Sequence, residues 1–384
     1  MAVVASWTSL TLAACLLAVG AAGGAPEPLE LGKAHVEEVL VGELASLVGG
    51  GLAKLQESLR PTFAALPKNV HGNLGQNEVR LALRRTFAPR GWLIKGLEAN
   101  GPEAWIAPYA QQLLEDRRGD RGLGLAEVSA LAATLERLVA KEASGRLAAA
   151  YEALGLSSDR TAAREEMEAA VRLYAAGHLA TNLSTAPAWP QVEERLRRLE
   201  VPEGGLGFDT VLRVVQEIAE KYARLSERSC RDAKTALLGA EASRAGRVSL
   251  QDFQAQPAFM HWRFDEGIEE LRAFGALDET DPTAPQVVVA DYLAARPSCL
   301  GGSSIHAACC RSECEELMAR LETAVAAPGA EPKRIAEAAA GLGPSAPHAT
   351  LSQRLEVLAT ANGGLVPLHG EAFADWMHHA FPRV

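Results

Sequence analysis

Two twelve-residue stretches of this chain place oxygen-bearing side chains at intervals that suit a hard cation. In Asp116-Arg117-Arg118-Gly119-Asp120-Arg121-Gly122-Leu123-Gly124-Leu125-Ala126-Glu127, the carboxylates of Asp116, Asp120 and Glu127 occupy the first, fifth and twelfth positions. In Glu241-Ala242-Ser243-Arg244-Ala245-Gly246-Arg247-Val248-Ser249-Leu250-Gln251-Asp252, donors stand at Glu241, Ser243, Ser249 and Asp252. Calcium takes about six to eight oxygens from such a loop, and a carboxylate giving both its oxygens closes the last position. The first stretch puts Arg118 at a ligand position and lacks a glycine at the sixth. The second keeps Gly246 there but loses a ligand to Ala245. Weak calcium binding is the cofactor chemistry these spacings predict, and helix-loop-helix packing without any metal is the alternative.

Both stretches end in a short pattern that occurs four times: Asn73 to Val79, Gly122 to Val128, Gly205 to Val211 and Arg247 to Phe253. An apolar residue precedes Gly or Ser, an acidic or hydroxyl residue stands four after it, and another apolar residue follows. Helical periodicity flanks each copy. The pattern resembles the second half of an EF-hand loop, where the eighth residue pairs with a sister loop and the twelfth opens the exiting helix. Pro67 cannot supply a first carboxylate to the Pro67–Glu78 copy, and Leu199–Thr210 lacks both the first and twelfth acids. These two copies are therefore expected to be structural. Spacing predicts two lobes, 25–145 and 146–281, with Leu74 beside Leu123 and Leu206 beside Val248.

The second chemistry is that of thiols. Cys299, Cys309, Cys310 and Cys314 crowd into one segment, 282–327, and a two-disulfide knot is its leading reading; a zinc site using His306 is the alternative, and no C-x-x-C redox pair is present. Cys310 and Cys314 stand four apart, which leaves the connectivity open. Cys230 stands apart, as a buried thiol or the handle for an intermolecular link. Residues 1–24 read as a signal peptide followed by small residues, although the absence of Lys and Arg before the apolar stretch leaves an uncleaved anchor as the alternative. Asn182-Leu183-Ser184 is a glycosylation sequon. No later run reaches the length of a membrane span. A secreted or lumenal address follows.

The elements that must position these groups are helices. Hydrophobic residues make up 48% of the 384 positions but aromatics only 5%, and alanine is abundant, so small-residue helix packing is favoured over a β-rich core. The fold class predicted is all-α. A β-branched run at Gln286 to Val289 marks a boundary, and a Pro- and Ala-rich linker is expected from Pro328 to about His348, within a C-terminal helical region 328–384. A net charge of -10 argues against nucleic acid as a partner. Adjacent His378 and His379 point to different helix faces and complete no metal site. No phosphate loop, dinucleotide fingerprint, nucleophile elbow or zinc-protease helix is present, which argues against an enzyme.

Several segments resemble an uncharacterised family of exported dinoflagellate (algal) proteins with degenerate EF-hand-like units. They are Val70 to Gly75 with Arg80 to Phe87, Gly91 to Leu97, Cys309 to Glu315, and Val366 to Gly370 with Trp376 to Phe381. The resemblance implies no known activity and supports the export and cysteine readings. The function expected is an interaction module with an unidentified protein partner. A metal-free scaffold, or an enzyme with a novel site near the cysteine segment, are the alternatives.

Overall fold

The computed structural model describes residues 31–48, 50, 52–97, 105–178, 189–241, 244–258, 262–295, 299, 303–342 and 349–384. These residues are mostly helical, as their composition requires. α1 (Lys33–Val48) ends near Gly50, whose φ is +70°, and α2 (Ala53–Ala65) begins beyond it. α3 (Gln76–Phe87), α4 (Ile106–Arg118) and α5 (Leu125–Ala153) follow. Next come α6 (Arg164–His178), α7 (Trp189–Arg197) and α8 (Phe208–Gly239). The short α9 (Leu250–Gln254), α10 (Ile268–Ala273) and α11 (Val289–Ala294) precede α12 (Glu313–Val325), α13 (Pro332–Ala340), α14 (Ala349–Ala361) and α15 (Glu371–Ala380).

Helix entrances meet in pairs through very short antiparallel contacts. Leu74 and Leu123 exchange both backbone hydrogen bonds, at 2.9 and 3.0 Å, as their loop pattern predicts. Leu206 pairs with Ala162 instead of Val248, at 2.8 and 2.9 Å. Val248, in β2 (Arg247–Ser249), pairs with Val287 of β4 (Gln286–Val288), which also carries β3 (Leu277–Asp278) on its other edge. A further pair joins β6 (Gly329–Ala330) to β7 (Val366–Pro367). The stretch expected as a linker thus contains a strand and α13, because Ala330 and Ile335 are apolar enough to be buried.

Among the described residues, buried apolar side chains form four clusters, one beneath each pair. Two long helices each serve two of them. α5 buries Val128, Leu131, Leu135 and Leu138 in the first cluster, then Leu147 and Tyr151 in the next, at intervals of three or four within each set. α8 likewise gives Val211, Val214, Val215 and Ile218 to the second cluster and Cys230, Ala233 and Leu237 to the third. The exit helix of one pair is therefore the entrance helix of the next.

Two glycines are required by the close approach of paired loops. Gly122 and Gly205 have φ of +68° and +77°, and a Cβ on either would stand 2.4 Å from the carbonyl oxygen of the facing residue, Leu74 or Ala162. Gly155 has φ +67° but open space around it. Gly205→Ala is therefore expected to cost about 2 kcal/mol or more, combining left-handed strain with a clash, and Gly155→Ala only about 1 kcal/mol. Urea denaturation of the two variants checks the difference.

Candidate functional site

Four of the paired loops, those of Leu74, Leu123, Ala162 and Val248, lead into a helix through the same three-part connection. The paired apolar residue is followed by the residue that caps the helix, and three residues later a polar side chain turns back toward that cap. The Ala163 amide donates to Glu166 Oε2 at 2.9 Å. Ser249 Oγ accepts from the Asp252 amide at 3.0 Å and donates to Asp252 Oδ2 at 2.6 Å. At Gly75 and Gly124 the carboxylates of Glu78 and Glu127 lie over the cap, where a Cβ would be 2.7 and 2.8 Å from their Oε2 atoms. An acid at this place satisfies an otherwise unpaired helix amide and faces the positive end of the helix dipole. The recurrent spacing thus has a metal-independent cause.

The loop carboxylates are met by arginines. Arg118 Nη2 lies 2.6 Å from Glu127 Oε1, so the residue that stands at a ligand position neutralises the terminal carboxylate. Arg160 donates from both terminal nitrogens to Glu166, at 2.9 and 2.8 Å. Arg383, next to the C-terminal residue, reaches Glu241 at 3.0 to 3.2 Å. Glu241 also accepts the Gly246 amide, and the carbonyl of Pro382 lies against Gly246 so closely that no Cβ would fit there. Across the first pair, Asn69 and Asn73 each donate a side-chain amide to the Arg121 carbonyl at 2.9 Å, tying one loop to the other.

These contacts are visible electrostatically. The Arg160 hydrogen bonds, followed by the Ala163 amide, hold Glu166 down at about 2. Arg383 likewise lowers Glu241 from the usual carboxylate range. A depressed acid contributes stability above its unfolded value, and that contribution is lost as pH falls through the folded one, here between 4.5 and about 2 for Glu166. In a carboxyl-resolved NMR titration Glu166 is expected to titrate near 2, and in Arg160→Ala its midpoint should return toward 4.5.

The residues expected to hold calcium are only partly assembled. Asp116 lies exposed in the last turn of α4, Asp120 lies in the 3-10 turn Gly119–Arg121, and Glu127 faces Arg118. The loop takes its left-handed residues at Gly119 and Gly122, not at the sixth position, because α4 continues through Arg118. In the other candidate Glu241 is joined to Arg383 and Asp252 to Ser249, while Ser243 lies outside the described residues. Among the described residues no group of three or more His, Cys, Asp or Glu side chains is arranged to hold a metal ion.

No protein-family model, curated protein or solved structure matches this chain. Its own geometry carries the functional argument.

Sequence reasoning passed over the loop Gly155–Glu166, whose Ser157, Asp159 and Glu166 follow the same spacing, because its pairing residue, Ala162, is small. It also passed over Asp291, four residues beyond Val287, where burial pushes the carboxyl up. Arg334 holds the equivalent place after Ala330 and donates to the Val325 carbonyl at 2.8 Å.

The thiol assignments need correction. Cys230 is bonded to Cys310, and Cys299 to Cys309, whereas Cys314 is a free, half-buried thiol. Cys314 sits inside α12, while Cys310 precedes its cap, Ser312, and faces α8, from which Cys230 reaches it. Burial raises the Cys314 thiol further from ionisation. The sulfurs that a zinc site beside His306 would need are bonded to each other. Asn182 and residues 1–24 lie outside the described residues. Among those described, no helix is long and apolar enough to cross a membrane.

Proposed function

We propose that this chain is a secreted or lumenal interaction module, built from four pairs of degenerate EF-hand-like units in which arginine has taken over the work of the cation. The observation that carries this reading is the guanidinium on the loop carboxylate in three separate loops, Arg118 on Glu127, Arg160 on Glu166 and Arg383 on Glu241. A bound calcium ion draws together loop oxygens that would otherwise repel one another. An arginine fork supplies the same neutralisation through directed hydrogen bonds and does so permanently. The module is thus held in one shape instead of switching, and calcium binds weakly at most, since it must displace a guanidinium. Two disulfides favour the oxidising compartment.

Such a scaffold presents rigid helix pairs and loop tips to a protein partner. Val70, at the tip of the first loop, is 95% exposed and stands free for such a contact among the described residues. The module reading is non-enzymatic. Thermal unfolding followed in about 5 mM calcium and in chelator at matched ionic strength tests the metal-independence. Unchanged midpoints are expected, whereas a rise of several degrees in calcium would mean the ion binds the folded state well below that concentration.

A further inference from the structure

A semi-enclosed cavity of about 330 Å³ lies where the cysteine segment packs against the junction of the first two clusters. The strand β5 (His306–Ala308) pairs antiparallel with β1 (Trp92–Ile94), setting Ile94 opposite His306. This register places the imidazole against the Trp92 ring, with centroids 4.8 Å apart, and turns it into the cavity. The middle of α5 and the middle of α8 form the other walls.

The protons around His306 can be assigned from chemistry alone. Glu142 is buried, and its Oε1 accepts from Arg146, the Ser304 amide and the Ser304 hydroxyl, each at 2.6 Å. Ser303 Oγ lies 2.5 Å from Glu142 Oε2 and 2.9 Å from His306 Nδ1. An ionised carboxylate only accepts, so the single hydroxyl proton of Ser303 belongs to Glu142. Nδ1 must then carry its own proton and donate it to Ser303. Burial keeps the imidazole neutral, pushing it down to about 4, so Nε2 is a bare lone pair. Ser303 also accepts the amides of Ile305 and His306, both at 3.1 Å. With its proton committed to Glu142 and its two lone pairs shared between the Nδ1 proton and the two longer amide contacts, Ser303 is a positioning residue for His306 and not a nucleophile.

The remaining lining mixes small apolar side chains with Trp92, Tyr174 and Gln216, and its ionised groups include one more carboxylate than guanidinium. Ala140, Ala143 and Ala219 give a smooth wall. Arg90 is paired with Glu136 at 2.7 Å, and Arg146 with Glu142, so both lining arginines are neutralised. Glu220, exposed at the rim on α8, enters no ion pair among the described residues. A neutral acceptor inside, an unbalanced carboxylate at the mouth and an apolar wall between them suit one kind of guest.

We propose that this cavity binds a small organic ammonium ion, which donates to His306 Nε2, is balanced in charge by Glu220 and lays its apolar body along the alanine wall. The full chain titrated with benzylammonium, benzyl alcohol and benzoate tests this, with the His306 Nε2 nitrogen resonance and calorimetry as independent readouts. Benzylammonium should give a saturable shift of that nitrogen in the direction of an accepted hydrogen bond. Benzyl alcohol, and benzylammonium on Glu220→Gln, should each bind about fivefold more weakly, the scale of one exposed ion pair. No saturable shift, equal binding of benzoate, or an unaltered affinity in Glu220→Gln would overturn the proposal. Its failure would leave the arginine-clamped loops untouched.

Discussion

Replacing Cys230 and Cys310 together by serine is expected to lower the unfolding free energy by about 4 kcal/mol, the cost of releasing a long closed loop into the unfolded ensemble. The bond joins residues 80 apart and is buried among Phe253, Trp262, Phe264 and Tyr292, so it fixes the α8 end of the third cluster to the segment that follows β5. Trp262 reaches the same place, donating to Ser229 Oγ at 2.9 Å. Cys314→Ser should change stability by less than about 0.5 kcal/mol, because that thiol makes no bond and is only half-buried. Urea unfolding of both variants separates the two roles. Equal effects would mean that Cys314 shares in the bridge.

Glu142→Ala is expected to cost about 3–5 kcal/mol, since it leaves the Arg146 guanidinium buried without its counter-charge and strips acceptors from Ser303 and Ser304. The effect should reach beyond its own helix. Ser303 and Ser304 lie in the chain that leads into β5, so their release should loosen the pairing with β1, read as faster amide exchange at Lys95, which donates to the Ile305 carbonyl at 2.8 Å. The stabilisation has a defined pH window. Burial alone would raise Glu142, but the Ser303 and Ser304 hydrogen bonds and Arg146 together hold it below 4.5, so the contribution is complete above that value and fades as pH falls beneath it. The Glu142→Ala variant should therefore differ from the native chain most at neutral pH and least in acid.

What the sequence disclosed depended on how bulky and how local each signal is. Leu74 and Leu123 were legible as partners because both are leucines before glycine and before an acid at the fourth place. Ala162 has the same role but too little apolar surface to mark a pattern, so Leu206 was assigned to Val248, the next bulky candidate. Val287 lies in a β-branched run whose flanking prolines mark a boundary as readily as a strand, and the Ala330 loop lies in a Pro- and Ala-rich stretch that resembles a linker. The all-α composition and the helical periods needed no long-range information.

The site was less legible because its decisive contacts are of two kinds. Arg118 lies within its own loop, so its disruption of a ligand position could be seen, although its pairing with Glu127 could not. Arg383 reaches Glu241 from 142 residues away, and Cys230 reaches Cys310 across 80, distances over which spacing carries no information. The His306 cavity depends on strand register between β1 and β5, which three-residue strands do not announce.

In the proposed module, guanidinium groups occupy the loop carboxylates and exclude calcium. Calorimetric calcium titration of the native chain beside Arg118→Asp addresses it most directly, since the substitution both frees Glu127 and adds a carboxylate between Asp116 and Asp120. No saturable heat is expected from the native chain below about 1 mM calcium, and at least about tenfold tighter binding is expected in the variant. Micromolar binding by the native chain, unchanged or weakened by Arg118→Asp, would contradict it.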